Sequence, residues 1–270
     1  MWVKICGITR LECAEAVMAQ QPDAIGLNFF SGSRRCIDVE TARQIVDRLE
    51  QSESPCESPD RIHDVKAGSR RDEAPVSITP VGLFVNHSLQ EIRNIASTCR
   101  IRTLQLHGDE TPEFVAELEE YEIIKAFRVG QEGLRDVMQE LEALQKLNVS
   151  LRGCLIDASI PGEYGGTGHR APWDLLATEW QPEWPPLILA GGLTPANVAQ
   201  AVEAVQPWGV DVASGVESSP GQQHPDAVRQ FITKARQHLC KGKGETGERK
   251  AERGKYQTRP LSPSDQTWDD

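Results

Sequence analysis

Short apolar runs rich in β-branched residues alternate along this chain with longer stretches whose apolar positions recur every three or four residues. The first pattern suits a strand buried on both faces and the second a helix with one apolar stripe, so their alternation predicts a parallel sheet with crossover helices. Strand candidates lie at 3–7, 24–29, 81–85, 103–106, 123–128, 153–156, 187–190 and 210–213. Helix candidates follow them at 11–19, 39–50, 89–98, 112–120, 133–147, 173–179, 195–205 and 226–239. Thr111 before Pro112 and Thr194 before Pro195 each place a capping hydroxyl ahead of a proline suited to the first helical position. Eight strand-then-helix units predict an α/β fold closed into a (β/α)8 TIM barrel. An open doubly wound sheet is the alternative, but it commonly has fewer strands. A dinucleotide-binding version would also carry GxGxxG after the first strand, and none is present.

Two stretches depart from the alternation. Residues 51–77 are polar, with Pro55, Pro59 and Pro75 among dense charges, and predict a mobile insertion ahead of the third strand. Such a helix-to-strand connection lies on the N-terminal face of a barrel, away from the catalytic loops. The tail, 241–270, has few apolar residues beyond Tyr256, Leu261 and Trp268, so it predicts disorder and leaves one barrel domain over 1–240. A chain of 270 residues with 39% apolar content is enough for one large core. A formal net charge of −11 argues against nucleic acid as a partner. Seven cysteines without a CxxC pair suggest neither a disulfide framework nor a zinc site, and reduced thiols fit the cytoplasm. No run of eighteen apolar residues occurs, and Met1 to Gly7 does not read as a signal peptide, so neither a membrane association nor export is expected. The oligomeric state is left open, a monomer included.

In a barrel, chemistry collects at the C-terminal ends of the strands. There the sequence sets Lys4 and Cys6 on the first strand, Gln105 and His107 on the fourth, Lys125 and Arg128 on the fifth, and Asp157 on the sixth. Cys6 and Asp157 are able to move protons near neutral pH once tuned: a thiolate is a competent base, and a shielded carboxyl a competent acid. Glycine-rich turns follow the last three strands, with Gly166 and Gly168, then Gly191 and Gly192, then Ser214 and Gly215. Glycine lets backbone N–H groups close on an anion, and loops after strands seven and eight are the recurrent phosphate site of this fold. A phosphorylated small molecule is the expected ligand. Each residue alone also has a plainer reading: a buried thiol, a helix-capping aspartate, a packed histidine, an ordinary strand-to-helix turn. Their joint placement at one end of one barrel is what favours chemistry.

The segments Lys4-Ile5-Cys6-Gly7-Ile8-Thr9, Gly82-Leu83-Phe84-Val85-Asn86, Gln105-Leu106-His107-Gly108-Asp109-Glu110, Gly165-Gly166-Thr167-Gly168, Leu189-Ala190-Gly191-Gly192-Leu193 and Gly209-Val210-Asp211-Val212-Ala213-Ser214-Gly215-Val216-Glu217 occur in this order. In them the chain resembles the phosphoribosylanthranilate isomerase family from the first strand to the last helix. The resemblance implies an Amadori rearrangement of N-(5-phosphoribosyl)anthranilate to 1-(2-carboxyphenylamino)-1-deoxyribulose 5-phosphate in tryptophan biosynthesis, without metal or organic cofactor. It implies Cys6 as general base, Asp157 as general acid, and Arg35, after the second strand, as a substrate contact able to take the anthranilate carboxylate bidentately. Gln105, His107 and Arg128 are expected to line the substrate, and Gly166, Gly168, Gly191, Gly192, Ser214 and Gly215 to bind its phosphate. For the charge that favours a Cys6 thiolate, Arg35 or the loop dipoles are expected rather than Lys4, which lies deeper on the same strand face. The chain departs from the family at Ala213, where serine is frequent, at Gln223-His224, where Lys-Asp is usual, and at Ala171-Pro172. The histidine-pathway isomerase resembles it less, having aspartate at the place of Cys6, and the lysines and glutamates of indoleglycerol-phosphate synthase find no match.

Overall fold

In the computed structural model, residues 1–53, 77–129, 133–157 and 173–237 are described. Eight parallel strands, β1 (Trp2–Cys6), β2 (Ala24–Asn28), β3 (Thr79–Phe84), β4 (Thr103–Leu106), β5 (Glu122–Arg128), β6 (Gly153–Asp157), β7 (Leu187–Ala190) and β8 (Gly209–Val212), close into a barrel in chain order, β8 pairing back onto β1. Around them lie α1 (Leu11–Met18), α2 (Val39–Glu53), α3 (Leu89–Thr98), α4 (Pro112–Ala116), α5 (Arg135–Lys146), α6 (Trp173–Glu179), α7 (Val198–Val205) and α8 (Pro225–Gln237). The expected α/β barrel is therefore the fold. No helix among the described residues is long and apolar enough to cross a membrane.

Two apolar clusters account for the closure. Strand residues of alternating parity point inward, and Ala24, Val81, Ile124, Ala126, Leu155, Ile188 and Ala190 fill the barrel with small or branched side chains, Trp2 packing below them. Residues of the other parity, such as Val3, Ile5, Ile25, Leu27, Leu104, Ile156 and Leu189, meet the apolar stripes of the helices in the larger cluster. Burial on both faces is why these strands read as continuous apolar runs.

Several boundaries differ from the sequence pattern, for local reasons. Thr111 caps α4 as expected, accepting from Phe114 N at 3.3 Å. Thr194 Oγ1 accepts from Ala196 N at 3.2 Å, as a cap would, but the regular helix does not begin at Pro195. The Asn197 Oδ1 accepts from Thr194 N at 2.7 Å and its Nδ2 donates to Gly192 O at 3.0 Å, folding 195–197 into a turn, so α7 starts at Val198. The polar segment expected at 51–77 begins later, because α2 runs on to Glu53; positions 54–76 and the tail from 238 lie outside the described residues. Ser88 and Glu91 form a capping box that fixes the start of α3. A short hairpin, β9 (Glu217–Ser219) with β10 (Gln222–Gln223), interrupts the connection from β8 to α8.

Candidate active site

Cys6 ends β1 and Asp157 ends β6, both on the inward-facing parity of their strands. Arg128, paired with Asp157 across β5 and β6, and His107, just past β4, stand at the same end. These groups share one electrostatic neighbourhood: burial lowers the His107 pKa, against the pull of the Asp157 carboxylate, with Lys4, Asp211 and Arg128 also acting on the ring. His107 is therefore biased towards the neutral imidazole. Gln105 sits below it, fully buried, its Nε2 2.9 Å from His107 Nδ1 and its Oε1 without a partner. Expected to touch substrate, Gln105 is instead sealed in the strand layer and sets the orientation of His107 from behind.

Cys6 itself is buried, and burial pushes its thiol up from the ordinary value. The cation opposing that effect most strongly is Lys4, which the sequence places too deep to matter. The physical reason is the shape of the barrel. Lys4 is fully buried, and its long stem carries the ammonium to Asp211 Oδ1 at 2.8 Å and alongside the thiol rather than down to the floor.

Arg35 also differs from expectation. Its Nε donates to Glu217 Oε1 and Oε2 at 2.8 and 3.0 Å, and its Nη2 to Oε2 at 2.6 Å, so the fork meant for a substrate carboxylate already grips a protein carboxylate. Glu217 is almost wholly inaccessible, 3% exposed, and an unpaired anion there would be costly. Gly221 N at 3.1 Å and Gln223 Nε2 at 3.4 Å complete its donors, while Gln223 also donates to Gly7 O at 3.0 Å. The hairpin thus locks the start of the first loop to the arginine. Gly7, at φ +80, is required here, since a Cβ would lie 2.6 Å from Arg35 Cδ.

The glycine turns after β7 and β8 touch. A Cβ on Gly215 would fall 1.8 Å from Leu193 O, so only glycine lets the two loops meet. Gly191 and Gly192 both have positive φ, and Gly192 is exposed, with open space where a side chain would project. Ser214, also exposed, opens the 3-10 turn Ser214–Val216. This surface can receive an anion on backbone N–H groups. Gly166 and Gly168 lie outside the described residues, as do Ala171 and Pro172.

Sequence reasoning gave no role to Glu217, Gln223, Asp211 or Glu110. Lys125, on the outward parity of β5, donates to Gly108 O at 2.9 Å and to Glu110 Oε2 at 3.2 Å, and Glu110 accepts from Asn86 N at 2.9 Å and from Gly108 N. This buried pair ties the loops after β3 and β4 together behind His107. A lysine inside an otherwise apolar strand was the available signal, because it demands a buried anion. Among the described residues no group of three or more His, Cys, Asp or Glu side chains is arranged to hold a metal ion.

Residues 53–234 match the family model described as N-(5'phosphoribosyl)anthranilate (PRA) isomerase. The N-(5'-phosphoribosyl)anthranilate isomerase of Geobacter metallireducens is 40% identical over 234 residues, covering 87% of this chain and 98% of its own. That of Trichlorobacter lovleyi is 37% identical over 237 residues, 88% and 98% of the two chains. Among solved structures, the phosphoribosyl anthranilate isomerase of Thermotoga maritima superposes with a TM-score of 0.69 at 33% identity over 87% of this chain and 98% of that one. A second, solved with reduced 1-(o-carboxyphenylamino)-1-deoxyribulose 5-phosphate, superposes with a TM-score of 0.65 at 30% identity over the same shares, 87% and 98%.

Proposed function

This chain belongs to the N-(5'-phosphoribosyl)anthranilate isomerase family and so acts as an isomerase of tryptophan biosynthesis, and from that premise we propose that Cys6 is the general base and Asp157 the general acid of the rearrangement. Asp157 gives its proton to the furanose ring oxygen, the C1′–O bond breaks, and the nitrogen lone pair closes the iminium. The Cys6 thiolate then takes the C2′ proton, and the electrons of that C–H bond neutralise the iminium to an enolamine. Tautomerisation gives the ketone, and proton return resets both groups. Each transfer is general acid or base catalysis, worth about 10²- to 10⁴-fold.

The observation that carries this reading is the pairing of a buried thiol and a carboxyl on inward positions at the ends of β1 and β6, in a ring with Arg128 and His107. The substrate phosphate rests on the contacting turns around Gly191, Gly192, Ser214 and Gly215. Gly166 and Gly168, the other phosphate candidates of the sequence, lie outside the described residues. Arg35 faces the anthranilate carboxylate with the guanidinium edge that Glu217 leaves open, and Arg128 and His107 line the ring substituents. The inferred compartment is the cytoplasm, since the described cysteines Cys6, Cys13, Cys36, Cys99 and Cys154 are free thiols.

Following anthranilate fluorescence during turnover tests the assignment. Cys6→Ala and Asp157→Asn should each lower kcat by at least about 10²-fold with a much smaller change in KM, because each group acts mainly in the transition state. Turnover near wild type in either variant overturns its role.

A further inference from the structure

We propose that Lys4 is a positioning residue of this reaction: held by Asp211, its ammonium is the counter-charge that lets a thiolate form at Cys6 inside the barrel. This rests on the reading of Cys6 as the base.

The geometry begins with strand parity. Lys4 and Cys6 stand two residues apart on β1, so both side chains project into the barrel. They are packed into one niche, because β2 offers glycine opposite them. A Cβ built on Gly26 would lie 2.6 Å from Cys6 Sγ and 3.1 Å from Lys4 Cε, so the thiol and the end of the lysine stem crowd the same point. The ammonium then reaches Asp211 Oδ1 at 2.8 Å on β8, the neighbouring strand on the other side.

Lys4 is entirely shielded from water, and a desolvated ammonium is retained only where anions repay its lost hydration. One fixed anion, Asp211, is present. The second comes and goes, and it is the thiolate. Burial works against the charge on Lys4, but attraction to Asp211 and Cys6 outweighs it and raises the lysine pKa, so Lys4 stays cationic throughout the working pH range. For Cys6 burial is the largest effect and raises the pKa, Lys4 is next and lowers it, and Asp211 follows and raises it.

Other charged groups near the thiol are weaker candidates. Arg35 acts on Cys6 across the first loop, but it is 26% exposed and its charge is neutralised by Glu217, so its field is screened. His107, after β4, is pushed towards the neutral form by burial. Asp157 ends β6 at the same end of the barrel, and Arg128 lies beside it on β5.

Opposite-sign variants test the idea through a readout that a merely structural role would not move. The Cys6 pKa is obtained from ultraviolet thiolate absorbance as a function of pH, with Cys6→Ala subtracted to remove the other thiols, and compared with the pH profile of kcat/KM. Lys4→Met should raise the Cys6 pKa by about 1 to 3 pH units, cutting kcat/KM at neutral pH about 10- to 10³-fold, with recovery as pH rises. Asp211→Asn should move the same pKa down. Each single change strands a buried charge, so the neutral pair Lys4→Met/Asp211→Leu is made as well; it loses both effects, and its Cys6 pKa should rise less than that of Lys4→Met alone. A Cys6 pKa unchanged by Lys4→Met, or unchanged in the double variant if the single one fails to fold, overturns the proposal. If Cys6→Ala keeps its turnover, the base assignment fails, and the thiol titration still reports on Lys4 by itself.

Discussion

The change Glu217→Gln keeps the size of the side chain and removes one charge, and its cost is set by the groups around the carboxylate. Oε1 accepts from Arg35 Nε at 2.8 Å, Gly221 N at 3.1 Å and Gln223 Nε2 at 3.4 Å, and Oε2 accepts from Arg35 Nε at 3.0 Å and Nη2 at 2.6 Å. Every neighbour is a donor. Whichever oxygen becomes an NH2 group, it must face donors, so one side of the network is lost and the other keeps only a neutral acceptor. Hydrogen bonds to charged groups contribute about 1.5–3 kcal/mol each. Losing one such bond and weakening another should cost roughly 2–4 kcal/mol, because Glu217 is 3% exposed and solvent cannot substitute. For a domain of this size that lowers Tm by about 4–16 °C. Arg35 then leaves its place over Gly7, and KM for substrate should rise at least about tenfold while kcat falls less, the signature of lost ground-state binding. Thermal unfolding and steady-state kinetics on Glu217→Gln, Arg35→Met and the double variant form a cycle, and the coupling should be about 1 kcal/mol or more. A Tm within a degree or so of wild type, or additive single effects, would refute the claim that Glu217 holds the arginine.

Two further outcomes are expected. Gly192→Val puts a β-branched residue at φ +64 with its side chain in the open space above the turn, so inorganic phosphate, expected to compete with substrate on the wild type, should lose affinity at least about tenfold while folding costs about 1–3 kcal/mol; equal inhibition of both proteins, or none of either, would move the phosphate elsewhere. Behind His107, Glu110→Leu leaves the Lys125 ammonium buried and strips Asn86 N and Gly108 N of their acceptor, at about 3–5 kcal/mol, whereas Lys125→Met leaves Glu110 its backbone donors and should cost less. Urea unfolding decides the order, and the reverse order would show that the lysine, not the glutamate, organises those loops.

Much of this protein is legible from its sequence because the responsible interactions are local. Alternating apolar periods specify strands and helices, since each buries a face with its own repeat. Thr103–Leu106, Leu187–Ala190, Leu89–Thr98 and Trp173–Glu179 lie where those periods put them. The cap at Thr111 follows from a hydroxyl beside a proline. Cys6 and Asp157 stand at strand ends because strand length sets which residue comes last. Where local signals compete, the pattern misleads. The Thr194-Pro195 pair resembles a helix start, and Thr194 Oγ1 does accept from Ala196 N, but 195–197 form a turn with the Asn197 side chain bound to Thr194 N and Gly192 O, and α7 begins at Val198.

The charges were settled by closure of the barrel. Lys4 meets Asp211 across 207 positions, Arg35 meets Glu217 across 182, and both contacts exist only once β8 lies against β1 and the hairpin beyond β8 folds over the first loop. A buried ammonium or guanidinium requires a counter-ion, so the sequence by itself declares that Lys4 and Lys125 need partners. It does not say which ones, because any of 40 acidic residues satisfies the same requirement until the chain is folded. The same closure placed Lys4, rather than Arg35, as the cation best able to act on Cys6: inside the barrel low polarity leaves its field unscreened, while the arginine at the rim is neutralised by Glu217 and partly wetted by solvent.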